Sequence, residues 1–261
     1  MLKKWGLVGT ITISAMLLGA CGGESSTNEG ANASKDGEKK VLEMATSADF
    51  PPFESRDVEG NFEGFDIDLA NYIADELGYE LKIQDMKFDG LIGALQTERI
   101  DMVLSGMSAT DKRKENVDFS TEYNHSGEMF ITLKDSDIKT IEDLKGKSLG
   151  VQLGTIQEDG AKKIQEETVD FEMKAVDNSN VLIQELLSKK IDVAYMDKAV
   201  AQGYIEEQGL AGFDDPTSSS PGMAVAFPKG SELVDQVNEV LKEAEENGKL
   251  QELKDKWLKE E

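Results

Sequence analysis

Residues 105–113 read SGMSATDKR and follow directly on the apolar run MVL at positions 102–104. The apolar run is typical of a buried strand, which Ser105 and Gly106 bring to an end. Thr110 is a favourable residue for a helix N-cap. The stretch therefore predicts a strand, a loop of small residues and the start of a helix, in that order.

A loop of this kind is suited to holding an anion. It presents hydroxyl and backbone N–H groups beside a helix N-terminus, which favours negative charge. Arg113 adds a planar fork of N–H donors that matches a carboxylate. The stretch indicates a carboxylate-binding site, although a strand–loop–helix with a surface arginine has the same local pattern. The remainder of the chain must distinguish the two.

The composition argues against several classes of function. The chain has 261 residues, a formal net charge of −24 and 39% hydrophobic residues, so we expect a globular body that does not bind nucleic acid. Cys21 and His125 are the only cysteine and histidine, which leaves few nucleophile–base pairs for an enzyme. No group of residues has the spacing of metal ligands, and we predict no metal and no cofactor.

The first 20 residues are predicted to be a signal peptide rather than part of the fold. Two lysines precede a mainly apolar run that is short for a membrane span, and the run ends in LGAC. This ending resembles the lipobox of bacterial lipoproteins, which implies that Cys21 carries the lipid. The alternative is a plain secretory signal with a chance cysteine. Residues 21–39 contain almost no apolar side chains, and we predict a disordered tether there.

From residue 41 onward, strand-like runs alternate with amphipathic segments, the pattern of an α/β fold with crossover helices. The predicted strands are 41–46, 80–85, 100–104, 129–133, 148–152, 171–175, 191–195 and 223–227. Residues 60–64 are predicted as a turn and 214–222 as a polar loop. In open α/β sheets, ligands bind beyond the carboxyl ends of the strands. Four candidate loops follow predicted strands, at 47–54, 105–113, 154–157 and 196–197.

Several short motifs occur in an order that is more specific than any one of them. They are FPPFE at 50–54, GFDIDL at 64–69, the 105–113 stretch, DLKGK at 143–147, GTIQ at 154–157 and Met196-Asp197. Together they resemble the polar amino acid-binding proteins of ABC importers, which are the family-3 solute-binding proteins. The resemblance implies the type II periplasmic-binding-protein fold, with two α/β lobes joined by two crossover strands. Lobe I would span 40–126 plus 224–261, and lobe II would span 127–223.

The resemblance also implies roles for particular residues around an amino acid held in the cleft between the lobes. Arg113 would pair with the ligand α-carboxylate, assisted by Ser108 and by the backbone N–H groups of Thr155 and Ile156. Asp197 would pair with the α-ammonium, because a zwitterion needs one fixed positive and one fixed negative group. The complete set of candidate ligand-binding residues is Phe50, Phe88, Ser105, Gly106, Met107, Ser108, Arg113, Thr155, Ile156, Gln157 and Asp197.

The preferred side chain of the ligand is less determined. Binders of basic amino acids often carry aspartate where this chain has Ser47, but Asp49 and Glu54 are acids close by. Two aromatic rings, Phe50 and Phe88, could hold a cation. Arginine or lysine is favoured, and glutamine or another polar amino acid stays open. A lipid-anchored amino acid sensor and a dehydratase-type enzyme on the same fold are the further alternatives.

The expected partners follow from this interpretation. They are a free amino acid, an ABC permease with its ATPase, and the membrane through the lipid on Cys21. We expect a monomer on the extracytoplasmic face of the cell membrane, and a Gram-positive cell surface rather than a periplasm.

Overall fold

A computed structural model describes residues 39–218 and 221–258. The predicted signal peptide, Cys21 and residues 21–38 of the predicted tether lie outside the described residues. No helix in the described ranges has the length and apolar composition that crossing a membrane requires.

The strands form two five-stranded sheets and one short hairpin. They are β1 (Val41–Thr46), β2 (Ser55–Arg56), β3 (Phe62–Glu63), β4 (Glu80–Asp85), β5 (Met102–Val103), β6 (Asp118–Asn124), β7 (Glu128–Thr132), β8 (Ser148–Gln152), β9 (Glu172–Val176), β10 (Val193–Asp197), β11 (Ala211–Asp214) and β12 (Met223–Phe227). The order in the first sheet is β4-β1-β5-β12-β6, and in the second sheet β11-β7-β10-β8-β9.

The α-helices connect the strands and cover the sheets. They are α1 (Phe65–Glu76), α2 (Leu91–Gln96), α3 (Asp111–Lys114), α4 (Ile156–Glu167), α5 (Ser179–Leu187), α6 (Lys198–Gln208), α7 (Leu233–Glu246) and α8 (Lys249–Trp257). Single 3₁₀ turns lie at Phe88–Gly90 and Glu142–Leu144. On α1, Leu69 and Ile73 are buried, and their spacing of four residues places them on one face of the helix.

Each sheet combines parallel crossover pairs with antiparallel strands. In the first sheet, β1 lies parallel to β4 and β5, and β12 lies antiparallel to β5 and β6. In the second sheet, β8 lies parallel to β9 and β10, and β7 lies antiparallel to β10 and β11. The chain passes from the first sheet to the second after β6 and returns after β11. This return agrees with the two crossovers expected of the fold, whereas the lobe boundaries drawn from the sequence stay predictions.

Some elements differ from the sequence prediction. The strands at 41–46, 80–85, 148–152 and 223–227 occur with the predicted bounds. The turn at 60–64 is part of a hairpin, in which β2 and β3 pair over two residues each. Ahead of the predicted polar loop at 214–222, the structure has a further strand, β11, which pairs antiparallel with β7. Neither the β2–β3 hairpin nor β11 has an apolar periodicity that would indicate a strand. Each is stabilised by pairing with a partner strand.

Candidate functional site

A cavity lies between the two sheets, where loops that follow β1, β5, β8 and β10 meet. About 390 Å³ of space there is not occupied by protein atoms, a volume that includes open solvent. Its lining is formed by Ser47, Asp49, Phe50, Glu54, Phe88, Gly106, Ser108, Arg113, Gln152, Thr155, Ile156, Gln157, Asp197 and Met223. The four loops predicted as candidate sites all contribute to this lining, as expected for the carboxyl ends of strands in an α/β sheet.

Among the described residues that line the cavity, Arg113 is the one basic side chain, and it is 8% exposed. It lies on the single turn of α3, where the Thr110 side chain accepts a hydrogen bond from the Arg113 backbone N–H. This is the N-cap predicted from the sequence. The guanidinium donates to the carbonyl oxygens of Ser108 at 2.8 Å and Gly154 at 3.0 Å. Burial lowers the pKa of Arg113 to about 10, so the side chain stays cationic at neutral pH.

The bond from Arg113 to Gly154 joins the first sheet to the N-terminus of α4. Thr155 caps that helix, since its side chain accepts from the Glu158 N–H and donates to the Gln152 carbonyl at 2.7 Å. The first N–H groups of a helix have no partner within the helix and favour an anion. Gly154 has φ +76°, and a Cβ there would lie 3.0 Å from the Asp89 Cα. Glycine therefore permits this close approach between the two sides of the cavity.

Asp197 ends β10 and caps α6. Its Oδ1 accepts from the Ala199 N–H at 2.8 Å and the Val200 N–H at 3.3 Å, and the Ser126 hydroxyl also hydrogen-bonds to the carboxylate. The side chain is 4% exposed. Burial raises the pKa of Asp197 to about 6, against the lowering effect of these donors. A buried negative charge thus faces the same cavity as Arg113, although a cap alone would account for its backbone contacts.

Aromatic rings lie on two sides of the cavity. The Arg113 guanidinium lies over the ring of Phe88, with its Cζ 5.3 Å from the ring centroid. Phe50 packs on Gly106, where an added Cβ would lie 2.9 Å from the Phe50 Cε1. Gly106 also has φ +51°, a conformation that favours glycine. Because Gly106 has no side chain, the ring of Phe50 can contact the backbone of the 105–113 loop.

Glu54 is a fully buried carboxyl group in the lining. Ser105 donates its hydroxyl to Glu54 Oε1 at 2.8 Å, whereas Glu54 Oε2 has no hydrogen-bond partner among the described residues. Burial, together with the negative charge of Asp66, raises the pKa of Glu54 well above its usual range. A buried carboxyl oxygen without a donor is costly, so Glu54 requires a proton, a donor or a cation that the hydrogen bonds of the described residues do not supply.

Asp49 is engaged by groups on the other side of the cavity. Its Oδ2 accepts from the Ser179 N–H at 2.7 Å, at the start of α5, and from the Gln152 side chain at 3.3 Å. Its Oδ1 accepts from the Ser47 hydroxyl at 2.9 Å. Burial raises the pKa of Asp49, with the Ser179 N–H opposing the shift. Asp49 therefore links the loop after β1 to elements of the second sheet.

Most of the residues selected from the sequence meet in the cavity, and two do not. Ser105 lies behind the lining, between Glu54 and the Ser47 N–H. Met107 is fully buried in a core cluster beside the first sheet. Gln152 and Met223 line the cavity but were not selected. Gln152 ends β8 and Met223 begins β12, and neither belongs to a sequence motif. Only the general rule that ligands bind beyond the carboxyl ends of strands could have indicated Gln152.

Metal binding has no support in the described part of the chain. No group of three or more histidine, cysteine, aspartate or glutamate side chains there is placed to hold a metal ion.

Comparisons with known proteins find close relatives. A family model for the bacterial extracellular solute-binding proteins, family 3, matches residues 42–260. The arginine-binding extracellular protein ArtP of Bacillus subtilis (strain 168) is 43% identical over 262 residues, covering 98% of each chain. A solved structure of an ancestral arginine-binding protein bound to arginine has a TM-score of 0.80 and 39% identity, covering 84% of this chain and 98% of that chain. A solved structure of an ancestral arginine-binding protein bound to glutamine has a TM-score of 0.79, with the same identity and coverage.

Proposed function

This chain belongs to the bacterial extracellular solute-binding proteins of family 3, and we propose that it captures a free cationic amino acid, arginine or lysine, and delivers it to an ABC importer. The type II periplasmic-binding-protein fold predicted from the sequence is that of the family. In this fold the two lobes close on the ligand by a hinge motion. The contacts of Arg113 and Asp49 across the cavity are of the kind that closure forms.

The balance of charge in the cavity carries the proposal of a cationic ligand. The lining contains three carboxyl groups, from Asp49, Glu54 and Asp197, and one guanidinium, from Arg113. The main-chain groups of an amino acid neutralise one positive and one negative group. The carboxyl group of Asp49 already accepts from Ser179, Gln152 and Ser47. Glu54 remains, and a positively charged side chain is the ligand group that best compensates it.

The main-chain groups of the ligand have matching partners. Arg113 has five N–H donors, and two of them bond to carbonyl oxygens, which leaves three for an α-carboxylate. The N-terminus of α4, at Thr155 and Ile156, adds backbone N–H groups on the opposite side. Asp197 supplies the negative charge for the α-ammonium. Phe50 and Phe88 would flank the side chain.

Glutamine is the second candidate ligand. The ancestral arginine-binding protein described above has been solved with glutamine as well as with arginine. A neutral amide has both a donor and an acceptor and can hydrogen-bond to a carboxyl group in either protonation state. Because the glutamine side chain carries no positive charge, the carboxyl group of Glu54 would then be compensated by a proton.

We further infer that the protein is a receptor without catalytic activity, is monomeric, and works on the extracytoplasmic face of the membrane. The relatives are solute-binding proteins. The lipobox-like ending at Cys21 supports lipid anchoring, and the Bacillus relative is in keeping with a Gram-positive cell surface. A separate sensor role would need a membrane partner.

A thermal-shift screen of the purified protein tests the proposal. The panel is the twenty amino acids with ornithine and citrulline. A ligand at a hundred times its Kd adds about 2.7 kcal/mol to the free energy of unfolding, which raises the melting temperature by several degrees. Shifts with arginine and lysine would support the proposal. A shift with glutamine alone would keep the receptor and remove the cationic specificity, and no shift with any compound would refute amino acid binding.

A further inference from the structure

The carboxyl group of Glu54 has a second buried carboxyl group against it. Asp66, in the first turn of α1, is fully buried and does not line the cavity. Its Oδ2 accepts from the Gly106 N–H at 2.7 Å and from the Tyr123 hydroxyl at 2.8 Å. The Asp66 backbone N–H donates to the Phe53 carbonyl at 2.8 Å, next to Glu54 in the chain, and each of the two carboxyl groups shifts the pKa of the other. Two acceptors placed side by side can form a hydrogen bond only if one of them is protonated.

The remaining oxygens of the pair point to one proton. Glu54 Oε2 and Asp66 Oδ1 are both buried and find no donor among the described groups. One proton between them would supply a donor to one oxygen and an acceptor to the other, so both would be satisfied at once. Two carboxylates in direct contact, in contrast, would place like charges together in a site closed to water.

We propose that Glu54 and Asp66 share one proton and thus act as a single negative charge beside the cavity, so that Asp66 helps to determine which side chains the protein accepts without touching the ligand. This inference rests on the proposed function. The pair with one proton offers a single charge to a monocation. A neutral amide can instead donate its N–H groups to a carboxyl oxygen of Glu54 while the shared proton stays in place, which provides a route to binding glutamine in the same cavity.

Among the described residues that contact the pair, none is a cation that would neutralise its charge. Asp66 faces Tyr123 of β6 and the Gly106 N–H, and burial raises the pKa of Asp66 to about 6. Glu54 faces Ser105, and Asp49 adds a further negative charge that raises the pKa of Glu54. The other charged groups that line the same cavity are Arg113 and Asp197, which the ligand main chain would occupy.

Infrared spectroscopy of the ligand-free protein tests the shared proton directly. At about pH 8, where ordinary carboxyl groups are ionised, we expect a carbonyl band from one protonated carboxylic acid. Both Glu54→Gln and Asp66→Asn should remove it, because the proton needs both groups. Asp68→Asn is the matched control, since Asp68 is on the same helix but pairs with Lys256 and Trp257, and the band should remain. A band that persists in Asp66→Asn, or is absent from the parent protein, overturns the proposal.

Calorimetry with arginine and glutamine at the same pH tests the single charge. In Asp66→Asn, the new side-chain amide keeps an acceptor for Gly106 and Tyr123 and offers its N–H groups to Glu54, so the fold is retained. We expect the ratio of the two Kd values to stay within about tenfold of the parent in Asp66→Asn. It should fall further in Glu54→Gln, and by at least about a hundredfold in the double variant, which has no charge left.

The outcomes separate this inference from the proposed function. If Glu54→Gln alone loses as much preference for arginine as the double variant, Asp66 contributes no charge and the inference is wrong. If the parent protein binds no amino acid, the proposed function fails, whereas the infrared band still decides whether the proton is shared. The ratio of Kd values excludes the titration of Asp197, because both ligands carry the same α-ammonium.

Discussion

Replacing Arg113 with alanine should abolish tight binding of every amino acid while the protein stays folded. The guanidinium is 8% exposed, and only two of its five N–H donors are used within the described structure, by Ser108 and Gly154. Two charge-assisted hydrogen bonds to a carboxylate contribute about 1.5–3 kcal/mol each. The loss of both, about 3–6 kcal/mol, raises the Kd by about 10²- to 10⁴-fold.

Titration calorimetry with arginine and with glutamine measures the effect, which should be similar for the two ligands because both carry the α-carboxylate. The loss of two bonds to carbonyl oxygens costs about 2 kcal/mol of stability, so the thermal melt should move by about 4–8 °C. Lys112→Ala is the control, because Lys112 lies beside Arg113 on α3 but pairs with Asp159 at 2.8 Å at the surface. An increase in Kd of less than about tenfold in Arg113→Ala would refute the carboxylate assignment.

Three further predictions follow from the same geometry. Asp197→Asn should raise the Kd of all amino acids by about a hundredfold; in the parent protein, calorimetry should show affinity falling as the pH drops through about 6, where Asp197 gains a proton, and a flat profile shared by both proteins would reassign the ammonium partner. Asp49→Ala should weaken arginine and glutamine equally, because Asp49 bonds to Ser179 across the cavity; a loss confined to arginine would make Asp49 a ligand contact instead. Cys21→Ser should release the protein from membranes into the soluble fraction, and continued retention on fractionation would contradict lipid anchoring.

The local signals in the sequence predicted which loops line the cavity. Thr110 acts as the expected N-cap, and the loop after β5 leads directly into α3. The loops that contain Phe50, Thr155 and Asp197 converge with it, because the carboxyl ends of neighbouring strands meet at one edge of a sheet. The sequence could therefore predict which loops lie together. Strand order and crossover connections depend on the regular alternation of strands and helices, which the sequence shows.

The parts that escaped prediction depend on contacts between distant residues. Asp66 occupies the first turn of a helix, where an acidic residue is ordinarily a solvated partner of the helix dipole, yet here it is fully buried against Tyr123. Met107 lies in the same loop as Arg113 but faces the core. Met223 enters the cavity only because β12 returns to the first sheet, where it lies antiparallel to β5 and β6. The hydrophobic periodicity of the local sequence does not indicate where these three side chains lie.

Calorimetric titration of the purified protein with L-arginine, and separately with agmatine, tests most directly whether this cavity binds a cationic amino acid through its main-chain groups. Agmatine keeps the guanidinium and lacks the α-carboxylate that Arg113 would hold. We predict that arginine binds with one molecule per chain and that agmatine binds at least about a hundredfold more weakly, as expected for the loss of charge-assisted hydrogen bonds. Equal affinity for the two compounds, or no heat of binding with arginine, would contradict the account.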